Sequence, residues 1–456
     1  MIKGKKIRSV KLKDCLLGLC LFSGITQLYA QEQLKLTLDK AIEIALSENP
    51  TIKVADKDIE LKKVADQEAW QNLLPEVSIS GTSTYTIKAA QLKLGSNTFK
   101  MGQDGANTAA AAFTASLPIF APAVYKTMKL TKVDIELAKE KARSSRLDMI
   151  NQVTKAYYSL MLSQDSYDVL KKSYKQSEDN FNVVNAKYKQ GTVSEYDKIS
   201  AEVQMRSIKP NMISAGNAVT LAKIQLKVLM GVTANVNLVV DDNLSNYETA
   251  IYANQIQEGP NSLANNSTIK QLNLNVSLLQ HNLSLAKTNF MPTASLAYTY
   301  QYQSLYNNNL NFYKYDWTPS SNIALSIVIP LYKASNFTKL KTAKLNIAEM
   351  KLNRTNTERQ LNMQVISYKN NMSASLEQVS SNKESVAMAE KALMISSKRY
   401  DVGKGTVLEM NSSQVALTQA ELTYNQSIYD YLNAKSDLDY VLGNEVFRIK
   451  PLYEIK

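Results

Sequence analysis

The 456-residue chain carries 53 Lys and Arg against 41 Asp and Glu, a formal net charge of +12, with two Cys and one His. Its charges are interspersed and not clustered, which argues against a nucleic-acid partner. Both cysteines fall within residues 1–30, so the remainder has no thiol chemistry, and a zinc or copper site there would have to rest mainly on carboxylates. No nucleophile with its base and no phosphate cradle stands out, so neither an enzyme nor a cofactor is expected.

Residues 1–30 have a basic start, an apolar stretch from Leu16 to Ile25 and small Ala30 before the polar Gln-Glu-Gln, the pattern of a cleaved signal peptide. Leu17-Gly18-Leu19 ahead of Cys20 lacks the small residue that lipoprotein processing wants next to the cysteine, so no lipid anchor is expected. Cleavage would remove six basic residues and one acid, taking the net charge from +12 to +7. No later segment approaches eighteen continuous apolar residues, so no spanning helix is predicted.

The first half, 31–231, begins with helix and changes period after Pro75. In EVSISGTSTYTIK, Val77, Ile79, Tyr85 and Ile87 alternate with Ser78, Ser80, Thr82, Thr84, Thr86 and Lys88. From 109 to 119, Phe113, Ala115, Leu117 and Ile119 alternate with Thr114 and Ser116. Period two predicts a strand hairpin over about 76–120 with a polar loop near 91–107. From Ala123 to Gln190 no Gly or Pro interrupts the chain. Within this run Leu130, Val133 and Leu137, then Ile150, Val153, Tyr157 and Leu160, then Phe181, Val184 and Tyr188 recur in steps of three and four. A coiled-coil helix over about 123–190 is predicted, roughly 100 Å long at 1.5 Å per residue. The turn YKQGTVS leads into a return helix over about 193–231, where Pro210 predicts a local kink.

A polar stretch, 232–262, containing Gly259-Pro260 joins the halves, and 263–443 repeats the order. A helix is predicted over 268–290, carrying the lone His281 in a structural role. Leu296, Tyr298, Tyr300 and Tyr302 alternate with Ser295, Thr299, Gln301 and Gln303; Ile323, Leu325, Ile327 and Ile329 alternate with small or polar residues. This predicts a second hairpin over about 292–332 with a polar loop near 305–320. The run from Leu331 to Val402 is again free of Gly and Pro. Its spacing of Leu340, Ala343, Ile347 and Met350, then Leu361, Val365, Tyr368 and Met372, predicts a long helix over about 333–402. The turn YDVGKGT opens a return helix over about 406–442, and 444–456 forms a tail. At one constant offset along the chain, LPIF (117–120) aligns with IPLY (329–332), Gly191 with Gly403, and LMG (229–231) with VLG (441–443). This is a tandem duplication.

Long, narrow-seamed helices offer little apolar surface to cover a sheet. With a secretory leader and no spanning helix, the strands fit a transmembrane β-barrel whose aromatic girdle lies in YTYQYQSLY and FYKYDW; a soluble antiparallel sheet is the alternative. Four strands close no barrel and eight close a filled one, so an open lumen, lined by Ser, Thr and Gln, needs at least three chains.

This duplicated order, with hairpins ending in LPIF or IPLY and long helices ending in Gly turns, resembles the TolC family of outer-membrane efflux proteins over nearly the whole mature chain. The resemblance implies a mostly α, α+β membrane protein. Each chain of a homotrimer would contribute four β-strands to a 12-stranded transmembrane barrel and very long coiled-coil helices to a periplasmic α-barrel of twelve. It would lie in the outer membrane of a Gram-negative bacterium, with 232–262 as part of a belt around the tunnel. Implied partners are a periplasmic adaptor (membrane fusion protein) and an inner-membrane transporter of RND or ABC type. The implied function is passive conduction through the exit duct of a tripartite efflux or type I secretion system, for drugs, metal ions or polypeptides. A periplasmic coiled-coil scaffold or adaptor without a pore is the alternative, although an adaptor would carry one hairpin between compact β modules.

Under the resemblance, Pro118 and Pro330 sit where barrel passes into tunnel. Gly191, Thr192, Val193 and Ser194, with Gly403, Lys404, Gly405, Thr406 and Val407, form exposed periplasmic tips similar to the family's adaptor-contact surface; an ordinary hairpin turn is the alternative. Asp197 and Glu409, each six residues past the turn glycine, would place six carboxylates at a trimer's mouth, where the family has an acidic constriction. Ser412 stands where the family pattern carries a second acid, and a solvated helix face remains the other reading. VGKGTV lacks the close of a phosphate loop.

Overall fold

The computed structural model describes residues 33–95, 97–233, 236–253, 262–307 and 312–444. The expected signal peptide, Gly259-Pro260 and all of the tail except Asn444 lie outside the described residues.

Strand β1 (Gln33–Lys35) leads into helices α1 (Leu38–Glu48) and α2 (Pro50–Gln71). Thr37 caps α1 through Lys40 N, and Asn49 caps α2 through Thr51 N with Pro50 in the first turn, where its missing N–H costs nothing. Strands β2 (Glu76–Thr86), β3 (Ala90–Leu94), β4 (Asn97–Met101) and β5 (Ala106–Phe120) follow, then the hairpin of α3 (Pro122–Lys189) and α4 (Glu195–Met230). The linker holds β6 (Asn237–Val239) and α5 (Glu248–Ala253). The second half comprises α6 (Ser267–Lys287), β7 (Thr293–Asn307), β8 (Thr318–Val328), α7 (Ala334–Asp401) and α8 (Val407–Leu442). Both hairpins pair a 68-residue helix with one of 36 residues. Pro210 lies inside α4 without ending it.

β2, β5, β7 and β8 form one antiparallel sheet in that order. Its register turns each strand's alternation into two opposed faces. One carries the rows Val77, Ala115, Tyr298, Ile323 and Ile79, Phe113, Tyr300, Ser321; the other carries Ser78, Thr114, Thr299, Asn322 and Ser80, Ala112, Gln301, Ser320. In the single chain the apolar face stands open, with Ile79 82% and Ile323 72% exposed. The outer strands β2 and β8 are each paired on one side only.

Two features depart from the expected four strands. The segment expected to be a polar loop at 91–107 contains a second antiparallel ribbon, β3 with β4, pairing Leu92 with Phe99. In addition, β1 pairs in parallel with β6, tying the start of the described chain to the inter-repeat linker.

Below the sheet the four long helices pack in the order α4, α3, α8, α7, while α2 lies against α3, and α6 against α3 and α7. The main core gathers Ile42 and Ala45 of α1, Val153, Tyr157 and Leu160 of α3, Leu226 and Met230 of α4, Leu238 and Leu244 of the linker, and Ile428 and Tyr431 of α8. Each repeat closes on this core in the same way. Asn49 accepts from Thr51 N and donates to Leu229 O (2.7 Å); Asn266 accepts from Ile269 N and donates to Val441 O (2.6 Å). One asparagine thus caps the start of one helix and satisfies the end of another.

The linker also straps the two hairpins together. Leu244 N donates to Asp165 of α3 (2.9 Å), Tyr247 OH donates to Asp242 (2.9 Å), and Glu248 pairs with Lys383 of α7 (2.7 Å). Burial pushes the Asp165 carboxyl up to about 6, with Asp168 and Asp242 adding to it and the Leu244 N–H opposing it. A raised carboxyl holds its proton more tightly folded than unfolded, so its stability contribution falls as pH rises from about 4 to 6. Asp165→Asn is therefore expected to stabilise at pH 7.5, on the order of 1 kcal/mol once partial solvation is discounted. The gain should vanish near pH 4 when thermal melting is compared across pH.

Candidate functional site

The site expected from sequence lies at the far end of the two hairpins. In YKQGTVS, Gly191 takes φ 72°, Gly191 N donates to Tyr188 O (2.9 Å) and Thr192 N to Lys187 O (3.0 Å). In YDVGKGT, Gly403 takes φ 73°, Gly403 N donates to Tyr400 O (3.1 Å) and Lys404 N to Arg399 O (2.8 Å). Both are helix C-caps whose left-handed residue is easy only for glycine. Each turn then enters a capped helix. Ser194 caps α4 in a reciprocal box with Asp197, and Thr406 caps α8 through Glu409 N (3.1 Å).

Gly191, Thr192, Ser194, Gly403, Lys404 and Thr406 are exposed, and Val193 and Gly405 are half-buried. Val407 corrects the expectation of an exposed tip. It is 2% exposed, packed with Val184 of α3, Ala201 of α4, Tyr400 of α7 and Met410 of α8, with Val193 and Phe181 against this cluster. All four helices therefore share a small core at the tip.

The two acids occupy equivalent places but different surroundings. The Asp197 carboxylate accepts from Ser194 Oγ (2.7 Å) and Ser194 N (3.2 Å). Glu409 faces Arg399 at 3.5 Å, and Arg399 also donates to Lys404 O (3.1 Å). Ser412 is exposed. Tyr400 is the residue sequence reasoning missed. Burial, then the carboxylates of Asp197 and Asp401, push its hydroxyl above the ordinary phenol range, so Asp197 of one hairpin lies within electrostatic reach of Tyr400 of the other. Lys187 Nζ sits 4.3 Å from the Tyr400 ring and Lys198 Nζ 5.1 Å from that of Tyr188. The signal was present: both quoted turns open on a tyrosine, Tyr188 and Tyr400, at the same offset as their glycines.

At the opposite end, Pro118 lies within β5 beside a register shift between Pro118 and Phe120, and Pro330 lies between β8 and α7. A bulge accommodates the donor that proline lacks. Aromatics collect at this sheet-to-helix passage: Phe337 is edge-on to Phe290 (5.1 Å) and tilted against Tyr332 (6.2 Å). No group of His, Cys, Asp and Glu among the described residues could hold a metal ion, and His281 is half-buried on α6. No described helix is long and apolar enough to cross a membrane.

Residues 41–232 and 260–444 match the family model described as outer membrane efflux protein. The chain is 22% identical over 446 residues to outer membrane protein TolC of Salmonella enteritidis, covering 95% of this chain and 86% of that one. Among solved structures it resembles the Campylobacter jejuni CmeC outer membrane channel (TM-score 0.72, 18% identity, covering 89% of this chain and 85% of that one). It also resembles the outer membrane protein VceC of Vibrio cholerae (TM-score 0.70, 15% identity, 89% and 96%). At these identities the likeness to the solved structures concerns the fold.

Proposed function

The chain belongs to the outer membrane efflux protein family, a non-enzymatic channel family of the outer membrane with a large periplasmic part, and from that premise we propose that it is a homotrimeric exit duct. It conducts passively, from a periplasmic adaptor and an inner-membrane transporter of RND or ABC type to the exterior, in a tripartite efflux or type I secretion system. The observation that carries this reading is the sheet with two free edges. Open edges are unstable in water and in lipid alike, and an open apolar face is unstable in water; the edges are removed when β2 of one chain pairs with β8 of the next around a twelve-stranded ring, and lipid covers the apolar face.

The helices support the same closure. α4 and the lower half of α7, at the two flanks of the helix row, carry exposed apolar residues in helical steps: Tyr196, Ile199, Val203, Leu221, Ile224 and Val228 on one, Met388 and Ile395 on the other. Set against each other between neighbours, these flanks complete the periplasmic tunnel. From Ala294 to Tyr302 the apolar face of β7 runs about 27 Å, or about 21 Å along a barrel axis at a 40° tilt, near the height of a lipid-facing band. Aromatics mark its two ends, with Tyr300 and Tyr302 at the outer end and Phe290, Tyr332 and Phe337 beyond the inner end. The periplasmic tips dock the adaptor, Pro118 and Pro330 mark the passage from barrel to tunnel, and Asp197 and Glu409 ring the mouth.

Single-channel recording in a planar bilayer tests the duct and its ring together. Asp197→Asn keeps the helix cap and Glu409→Gln the side-chain length, so each removes charge alone. A cation-preferring current is expected, with preference falling roughly two- to five-fold in Asp197→Asn. The fall should be at least as large in Glu409→Gln, because Arg399 is then left without the acid that offsets it. A folded oligomer in the membrane that never conducts would count against the duct, and unchanged selectivity would remove the ring.

A further inference from the structure

The β3–β4 ribbon has a composition that its position beyond the sheet does not require. Ala90, Leu92, Phe99 and Met101 share one face, while Gln91, Lys93, Thr98 and Lys100 share the other. Leu92, Phe99 and Met101 are 47%, 53% and 66% exposed in the single chain. The base of the ribbon is clasped: Asp104 accepts from Ala89 N (2.6 Å) and from Lys100 Nζ (2.9 Å), and Gly105 N donates to Thr86 O (2.7 Å). A lone two-stranded ribbon with an open apolar face is marginal in water, so something covers it.

We propose that this ribbon is an interfacial anchor lying on the anionic outer surface of the membrane, its apolar face in the headgroup and acyl boundary and its lysines toward lipid phosphates. Two observations choose this occupant. Continuity is the first: the ribbon begins four residues after Thr86 ends β2, just past Tyr85 at the outer rim of the spanning sheet, the end of the strands that faces away from the helices. Charge is the second. The segment carries Lys88, Lys93 and Lys100 against the single acid Asp104; Lys100 pairs with Asp104 in the clasp, which leaves Lys88 and Lys93 as its net positive charge. Apolar residues on one face with lysines on the other is the pattern of interfacial elements on anionic membranes, where long side chains reach out to phosphate.

The inference rests on the spanning-sheet reading, so the experiment carries its own control. With Trp70→Phe and Trp317→Phe as background, Phe99→Trp reports the apolar face, Lys93→Trp the polar face and Tyr298→Trp the sheet itself. Each trimer is reconstituted in phosphatidylcholine vesicles containing phosphatidylglycerol, with or without acyl chains brominated near the ester. Phe99→Trp is expected to lose about half its emission to brominated lipid and to resist acrylamide, with Lys93→Trp showing the reverse. Lys88→Glu with Lys93→Glu should halve the quenching of Phe99→Trp. Met101→Trp is a second reporter on the same face should Phe99→Trp not assemble. Acrylamide quenching of both faces, or protection of Phe99→Trp from both quenchers by a neighbouring copy, would overturn the anchor. Quenching unaffected by the charge reversals would overturn the phosphate contact. Failure of Tyr298→Trp to meet brominated lipid would instead reject the spanning sheet.

Discussion

Gly443→Ala is expected to destabilise the protein by about 3–5 kcal/mol and to deplete assembled trimer, whereas Gly403→Ala should cost only about 1 kcal/mol. The two glycines have nearly the same backbone, φ 71° and φ 73°. Their surroundings differ. A Cβ at Gly403 would meet nothing within 4 Å, so only the left-handed strain is felt. At Gly443 it would overlap the carbonyl oxygen of Asn265 and come within 3.2 Å of Asn266 N. The backbone there must move, and with it Asn266, whose side chain caps α6 and binds Val441 O. Gly231, its counterpart, meets Asn49 and Glu48 backbone at 3.0 Å, so Gly231→Ala should fall between the two. Thermal melting of the purified variants, with heat-modifiable migration on gels as the trimer assay, checks the order. Equal melting temperatures for Gly443→Ala and Gly403→Ala would show that the clip does not hold the repeats.

The double variant Gly191→Asp, Gly403→Asp is expected to reduce export and adaptor cross-linking by at least roughly tenfold while leaving the trimer intact. Neither position has a heavy atom within 4 Å of a would-be Cβ, and aspartate tolerates the left-handed region better than most residues. Folding therefore loses little. What changes is the outermost surface of both tips, where new carboxylates project and carry their desolvation cost into any docked interface. Trimer yield with wild-type conductance separates lost docking from lost folding. Unchanged cross-linking and export would make the tips plain turns.

The position of Asp197 shows how far sequence reading reaches. Its spacing from Gly191 and its echo at Glu409 were legible, because duplication repeats a feature at a constant offset. That Asp197 also completes a capping box could be read from Ser194 three residues earlier. Its electrostatic reach to Tyr400 could not be read, since that depends on how two hairpins from different repeats lie against each other. The burial of Val407 was not legible for the same reason: it depends on residues of all four helices meeting at the tip. The β3–β4 ribbon was hidden by lysines that made 91–107 look like a loop, although alternation on either side of Gly95-Ser96 is a hairpin signal.

By itself the sequence determined the period-two strands, the uninterrupted helical runs, the glycine turns and the duplication, because each follows from local rules of backbone sterics and side-chain spacing. Tertiary structure alone decided which faces those elements share. The register across β2, β5, β7 and β8 sorts polar from apolar residues into two surfaces. The asparagine clips, the linker strap and the tip core join residues tens to hundreds of positions apart. Such contacts depend on the relative placement of whole elements, which periodicity along one element does not encode.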